Sequence, residues 1–108
     1  NLKNKKIIKF EIYGKEYECK SNIDAYLEIN KILCDLHKED YINLSKENLT
    51  FISNNMNSLS NTSRIKKISE NIFVNINYSS TELFKFLKQI IKKINLDGKN
   101  ILLHIQIK

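Results

Sequence analysis

The sequence predicts an α+β domain: a two-layer, mixed sheet of four to five strands with two main helices packed on one face. Three observations predict it. Residues 7–13 and 72–78 alternate apolar and polar side chains with the period of two that a half-buried strand shows. The segments that follow Ser21 and Ser79 place apolar residues three and four apart behind a Ser cap, the pattern of an amphipathic helix. The chain has 108 residues and 42% hydrophobic content, enough to pack one core.

Each element follows from its local pattern. In the first strand Ile8, Phe10 and Ile12 share one face, and Lys9 and Glu11 the other. Gly14-Lys15 suits a two-residue hairpin turn of type II′, which wants Gly first. Tyr17 and Cys19 continue the apolar face on the return strand, against Glu16, Glu18 and Lys20. Ser21-Asn22-Ile23-Asp24 then fits a capping box. Ile23, Tyr26, Leu27, Ile29, Leu33 and Leu36 extend a helix over about 23–38.

Residues 41–61 carry Leu44, Leu49, Phe51, Ile52, Met56 and Leu59, interrupted repeatedly by Asn and Ser. This stretch reads as a loop with a short helix or strand, and the Asn-rich run 54–63 as a loop. Residues 72–78 are β-branched and alternating, a further strand. Ser79-Ser80-Thr81-Glu82 is a second capping box, and Leu83, Phe84, Leu87, Ile90, Ile91 and Ile94 form the apolar stripe of the helix it opens. Asp97-Gly98 marks its stop. Ile101, Leu103, Ile105 and Ile107 alternate with Leu102, His104 and Gln106 in a closing strand. The order is ββα, an irregular middle, then βαβ; were the last two strands parallel neighbours, their crossover would be right-handed. No internal repeat occurs at a fixed period.

The chain starts at Asn1, which reads as a fragment of a longer protein or a processed product. The residues before Phe10 are basic and polar, without the apolar run of a signal peptide, and no stretch approaches the roughly 20 apolar residues of a membrane span. Two cysteines, Cys19 and Cys34, are too few for a disulfide framework and form no CxxC, so the expected setting is a reducing cytoplasm.

Charge is distributed unevenly. Residues 1–60 hold nine Lys and nine acids; residues 61–108 hold nine Lys or Arg and three acids, so the net +6 belongs to the last 48 positions. Two clusters stand out there. Arg64, Lys66 and Lys67 precede the strand at 72–78, and Lys85, Lys88 and Lys92 form a stripe opposite the apolar face of the last helix, flanked by Lys93. Lys at i, i+3 and i+7 can follow a phosphate backbone. The same stripe also serves as the solvated face that any amphipathic helix needs, and the Lys- and Asn-rich composition dilutes the signal. Tyr78 and Ser79, where a strand meets a helix N-terminus, add a stacking ring and a hydroxyl beside free backbone N–H groups. Glu82 in the capping position opposes an anion there. The candidate nucleic-acid-binding residues are therefore Arg64, Lys66, Lys67, Tyr78, Ser79, Lys85, Lys88 and Lys92.

Catalytic and metal patterns are not visible. His37 and His104 fall in different elements, and no ligand spacing joins them to Cys19 or Cys34. With only Gly14 and Gly98, no Gly-rich phosphate loop forms. No nucleophile-elbow, zincin or kinase signature appears. Asp24, Glu28 and Asp35 alternate with Lys31 and Lys38, the composition of a solvated helix face. No catalytic residue, metal ligand or cofactor is assigned.

The string Arg64-Ile65-Lys66-Lys67-Ile68, followed by Ile72-Phe73-Val74-Asn75-Ile76-Asn77-Tyr78-Ser79-Ser80, resembles a pattern in small α+β tail domains of bacterial restriction, DNA-modification and other defence proteins. Those domains are similar in opening with a strand, a Gly turn, a second strand and a Ser-capped helix. The resemblance spans most of the chain through short, degenerate motifs. It implies a DNA-directed or assembly role for a module attached to an effector, and it transfers no catalytic residue. Two function classes follow. One is a nucleic-acid-contacting accessory domain, with DNA or RNA as partner, using the basic C-terminal half. The alternative is a protein-interaction or dimerisation module using a sheet edge or leftover apolar residues such as Ile7, Tyr13 and Leu102. A small enzyme of unknown type is the third possibility.

Overall fold

The computed structural model describes residues 2–59 and 64–94 and the backbone of 101–107. The elements are β1 (Lys5–Ile12), β2 (Lys15–Glu18), α1 (Asn22–Leu36), α2 (Lys38–Ser45), β3 (Ile52–Ser53), a 3₁₀ turn (Met56–Ser58), β4 (Ile65–Ser69), β5 (Ile72–Asn75), α3 (Ser80–Lys93) and β6 (Ile101–Ile107). The α+β class holds. The strands differ from the expected single mixed sheet: they form two three-stranded sheets, β2-β1-β6 and β3-β5-β4, with every pairing antiparallel. β5 and β6 belong to different sheets, so the parallel crossover between them does not form. β6 instead returns to β1, at the start of the chain.

Local chemistry explains the first hairpin. Ile12 pairs with Lys15, so the turn residues are Tyr13 and Gly14 rather than Gly14 and Lys15. Both have positive φ, 50° and 82°. That is the signature of a type I′ turn, which corrects the type II′ expectation. Gly14 accepts this backbone at no cost, whereas Tyr13 adopts it against its Cβ.

A bulge alters the face assignment of β1. Its pairing with β6 slips between Ile7 and Lys9, leaving Ile8 as the extra residue. The slip brings Ile7 to the core side with Phe10 and Ile12; all three are buried, while Ile8 is only partly covered. Ile7 is therefore a core residue and not a leftover apolar contact. A second slip, between Lys67 and Ser69, makes Ile68 the extra residue of β4. This bulge hid β4 from the sequence pattern: Arg64, Lys66 and Lys67 precede β5 as expected, but Lys66 and Lys67 lie within a strand of their own and Arg64 leads into it.

Ser21 caps α1 as expected, accepting from the Asp24 N–H at 3.0 Å, but Asp24 accepts from the Lys20 N–H at 2.9 Å, one residue before the partner that the expected capping box would give it. The helix stops at Leu36 because His37 takes φ −132° and ψ 53°, and α2 begins at once with Lys38. The single predicted helix over 23–38 is thus a helix and a joint. α1 is the central element: it packs against β1, β4, α2 and α3, and so binds both sheets into one core. Tyr26, Ile29 and Leu33 on α1 meet Phe10, Tyr41, Ile52, Ile72, Leu83 and Ile90 there, all fully or almost fully buried. Most of α2, the short β3 and the 3₁₀ turn occupy the middle region expected to hold a short helix or strand. The Asp97-Gly98 stop and residues 60–63 of the Asn-rich run lie outside the described residues.

Candidate nucleic-acid interface

α3 displays the strongest part of the basic half. Its buried row is Leu83, Phe84, Leu87 and Ile90, facing α1 and the core. At 100° per residue, Lys85, Lys88 and Lys92 fall on the opposite side, and all three are exposed. Among the described residues no acid lies within ion-pair distance of any of them. Lys93 leaves the stripe: its Nζ sits 3.0 Å from Glu47 Oε1, joining the end of α3 to the end of α2. The only acid within α3, Glu82, is held at the N-terminus by the cap.

The other basic cluster is arranged differently. Arg64 and Lys66 are exposed on the edge strand β4 and its lead-in, and Lys67 pairs with Glu70 at 3.8 Å. Successive strand residues point to opposite faces, so Lys66 and Lys67 project on either side of their sheet. β4 and α3 each pack on α1. The Ile76 N–H donates to the Arg64 carbonyl at 3.0 Å and sets Arg64 beside the lead-in to the helix.

Tyr78 and Ser79 are already engaged within the fold. Ser79 Oγ accepts from the Glu82 N–H at 3.3 Å and donates to Glu82 Oε1 at 3.0 Å, while the Ser79 N–H reaches the same carboxylate at 3.4 Å. The capping box is complete, with a carboxylate where an incoming phosphate would sit. Around it, Thr81 Oγ1 accepts from the Leu2 N–H at 3.1 Å, and Asn22 Nδ2 donates to Ser80 Oγ at 3.2 Å. Tyr78 is half-buried and meets Phe86 edge-on at 4.8 Å; Phe86 in turn stacks on Phe51 at 4.5 Å. Phe86 escaped the sequence reading because it lies beside, not within, the apolar stripe. It follows Lys85 directly and brings an aromatic ring to the flank of the lysine row.

The cysteines offer no activated thiol. Burial raises the pKa of Cys19, with Asp24 adding to the effect and Lys6 opposing it. Burial likewise raises that of Cys34. The Cys19 thiol donates to the Ile7 carbonyl at 3.2 Å, a structural role. Among the described residues no group of three or more His, Cys, Asp or Glu is placed to hold a metal ion, and no helix is long and apolar enough to cross a membrane. The side chains of His104 and Leu102 lie outside the described residues. Comparison with protein-family models, curated proteins and solved structures returned no match.

Proposed function

We propose that this chain is a nucleic-acid-contacting accessory domain of a larger bacterial protein, and that α3 is its contact surface. One observation carries the reading: Lys85, Lys88 and Lys92 are exposed in a row opposite the buried face of α3, with no described acid paired to them. Free ammonium groups at that spacing suit phosphates of a nucleic-acid backbone, and their compact charge favours backbone contact over base reading. The resemblance to tail domains of restriction and DNA-modification proteins supports the same class of partner. Arg64 and Lys66 extend the field from the neighbouring strand, whereas Ser79 serves the helix cap and contributes no contact.

The test is fluorescence anisotropy of labelled duplex DNA, single-stranded DNA and RNA with the full chain, at 50 and 200 mM salt. Three phosphate contacts predict an affinity loss of roughly 40-fold between those salts. The triple variant Lys85→Gln/Lys88→Gln/Lys92→Gln should bind weakly at both salts and keep its circular dichroism. No binding at 50 mM salt, or equal binding by the triple variant, rules the reading out.

β6 favours a protein-interaction or dimerisation module as the second reading. It pairs on one side only among the described residues, and 101–107 contain no Lys, Arg, Asp, Glu or Pro of the kind that guards a sheet edge. Self-association that survives high salt, measured by sedimentation, separates this reading from the first.

A further inference from the structure

A tyrosine of the first hairpin meets a histidine and a nearby aspartate of the joint between α1 and α2. Tyr13, in the β1–β2 turn, places its hydroxyl oxygen 2.9 Å from His37 Nε2 at the α1–α2 joint. His37 Nδ1 lies 3.9 Å from a carboxylate oxygen of Asp40, in the first turn of α2. The order hydroxyl, imidazole, carboxylate is that of a nucleophile, its base and the group that orients the base, with the first contact a hydrogen bond and the second a longer electrostatic one. With the ring proton on Nδ1, facing Asp40, Nε2 accepts the Tyr13 proton. Tyr13 is 45% exposed, so its oxygen is reachable from solvent. Its backbone is held at φ 50°, a conformation that a bulky side chain rarely adopts. An uncommon backbone angle at a reactive side chain is a recurrent mark of functional sites.

We propose that Tyr13, His37 and Asp40 form an acyl-transfer site in which Tyr13 is the nucleophile, His37 the general base and Asp40 a positioning residue. The step balances without a cofactor. His37 Nε2 takes the proton of Tyr13 as Oη attacks the carbonyl carbon of an ester; the carbon–oxygen bond to the leaving alcohol breaks, and that alcohol leaves with the proton from His37. The product is an O-acyl tyrosine, which water then hydrolyses through the same base. Local charge selects the substrate class. Asp35, Glu39 and Asp40 flank His37 in the chain against the single charge of Lys38, whose ammonium is directed to Ser69 Oγ. An anionic phosphodiester is repelled by such surroundings, whereas a neutral carboxylic ester is not. Leu36, next to His37 in the chain, is 56% exposed and supplies an apolar contact for the acyl group.

The test uses p-nitrophenyl acetate on the full chain, with peptide mapping by mass spectrometry to assign the acetylated residue. Tyr13 should be acetylated at least 10-fold faster than N-acetyltyrosinamide in the same buffer, given that a positioned general base contributes a factor of about 100 or more. Tyr13→Phe should remove that label. His37→Gln should bring the rate down to that of N-acetyltyrosinamide. Asp40→Asn should displace the pH profile of acetylation, a change that a purely structural role would not produce. Tyr13 acetylation no faster than the free amide in the native chain overturns the proposal, as does an unchanged rate in a folded His37→Gln variant.

Discussion

Tyr41 donates its hydroxyl proton to Asn30 Oδ1 at 2.8 Å, and neither residue is exposed to solvent at all. The bond joins α2 to the middle of α1. Asn30 completes it by donating Nδ2 to the Tyr26 carbonyl at 2.9 Å. Deleting one member leaves the other buried without a partner, which costs more than the bond itself contributes. Tyr41→Phe should therefore destabilise the chain by about 1–3 kcal/mol in urea unfolding. Adding Asn30→Leu to Tyr41→Phe should recover part of that loss, because both polar partners are then gone. A double variant less stable than the sum of the two single changes would show that the pair is not a unit.

The same two tyrosines set an alkaline limit. Burial raises the phenol of Tyr26, with Asn30 opposing it and Tyr78 adding to it. Burial also raises Tyr41, helped by Cys34 and Tyr26. Tyr26 Oη has no hydrogen-bond partner among the described residues, so burial outweighs the opposing influence of Asn30. For an acid whose folded pKa lies above its unfolded value, the fold holds the proton more tightly. Stability is then fully present below the unfolded value of about 10 and falls as pH rises past it. Absorbance at 295 nm should show a final phenolate step that coincides with loss of far-UV circular dichroism. If all five tyrosines ionise while the chain stays folded, the burial argument fails.

Legibility in the sequence tracked how local each feature is. The cap, the apolar stripe and the lysines of α3 were readable because they obey one period within 14 residues. The first hairpin was readable as a hairpin, but its turn was misplaced by one residue, since a tyrosine with positive φ is not what propensity predicts. The bulges at Ile8 and Ile68 broke the period of two, so Ile7 went to the wrong face and β4 went unseen. Sheet membership was not legible, because the return of β6 to β1 depends on contacts about a hundred residues apart. The Tyr13–His37 bond is likewise nonlocal: 24 positions separate its partners, and only the joint between α1 and α2 brings them together.

Ser79 separates a structural role from a binding role. Its hydroxyl and N–H are both committed to Glu82, and loss of such a cap costs about 0.5–2 kcal/mol. Ser79→Ala should lower the urea midpoint accordingly while leaving DNA affinity at 50 mM salt within twofold of the parent. Glu82→Gln, which keeps the hydrogen bonds but removes a negative charge beside the basic face, should strengthen binding modestly. A Ser79→Ala variant that stays as stable as the parent but loses DNA binding would reverse the assignment.

Tyr13 lets strain be measured against function. A non-glycine residue in the left-handed region costs of order 1 kcal/mol, and Asn tolerates that region far better than an aromatic residue does. Asn followed by Gly is also the preferred pair for a type I′ turn. Tyr13→Asn should therefore stabilise the chain by about 0.5–1 kcal/mol, even though it gives up the bond to His37, because that bond is exposed to water and contributes little net energy. Tyr13→Phe keeps the backbone strain and loses only the hydroxyl, so it should be neutral or slightly less stable than the parent. The difference between the two variants isolates the backbone term, and urea midpoints at constant m-value measure it. A stabilising Tyr13→Asn change would mean that the natural residue costs the fold free energy, the pattern expected where a side chain is retained for what it does. A Tyr13→Asn variant that is clearly less stable than Tyr13→Phe would instead make the turn an unstrained structural element, and would remove one of the two geometric arguments for a reactive tyrosine.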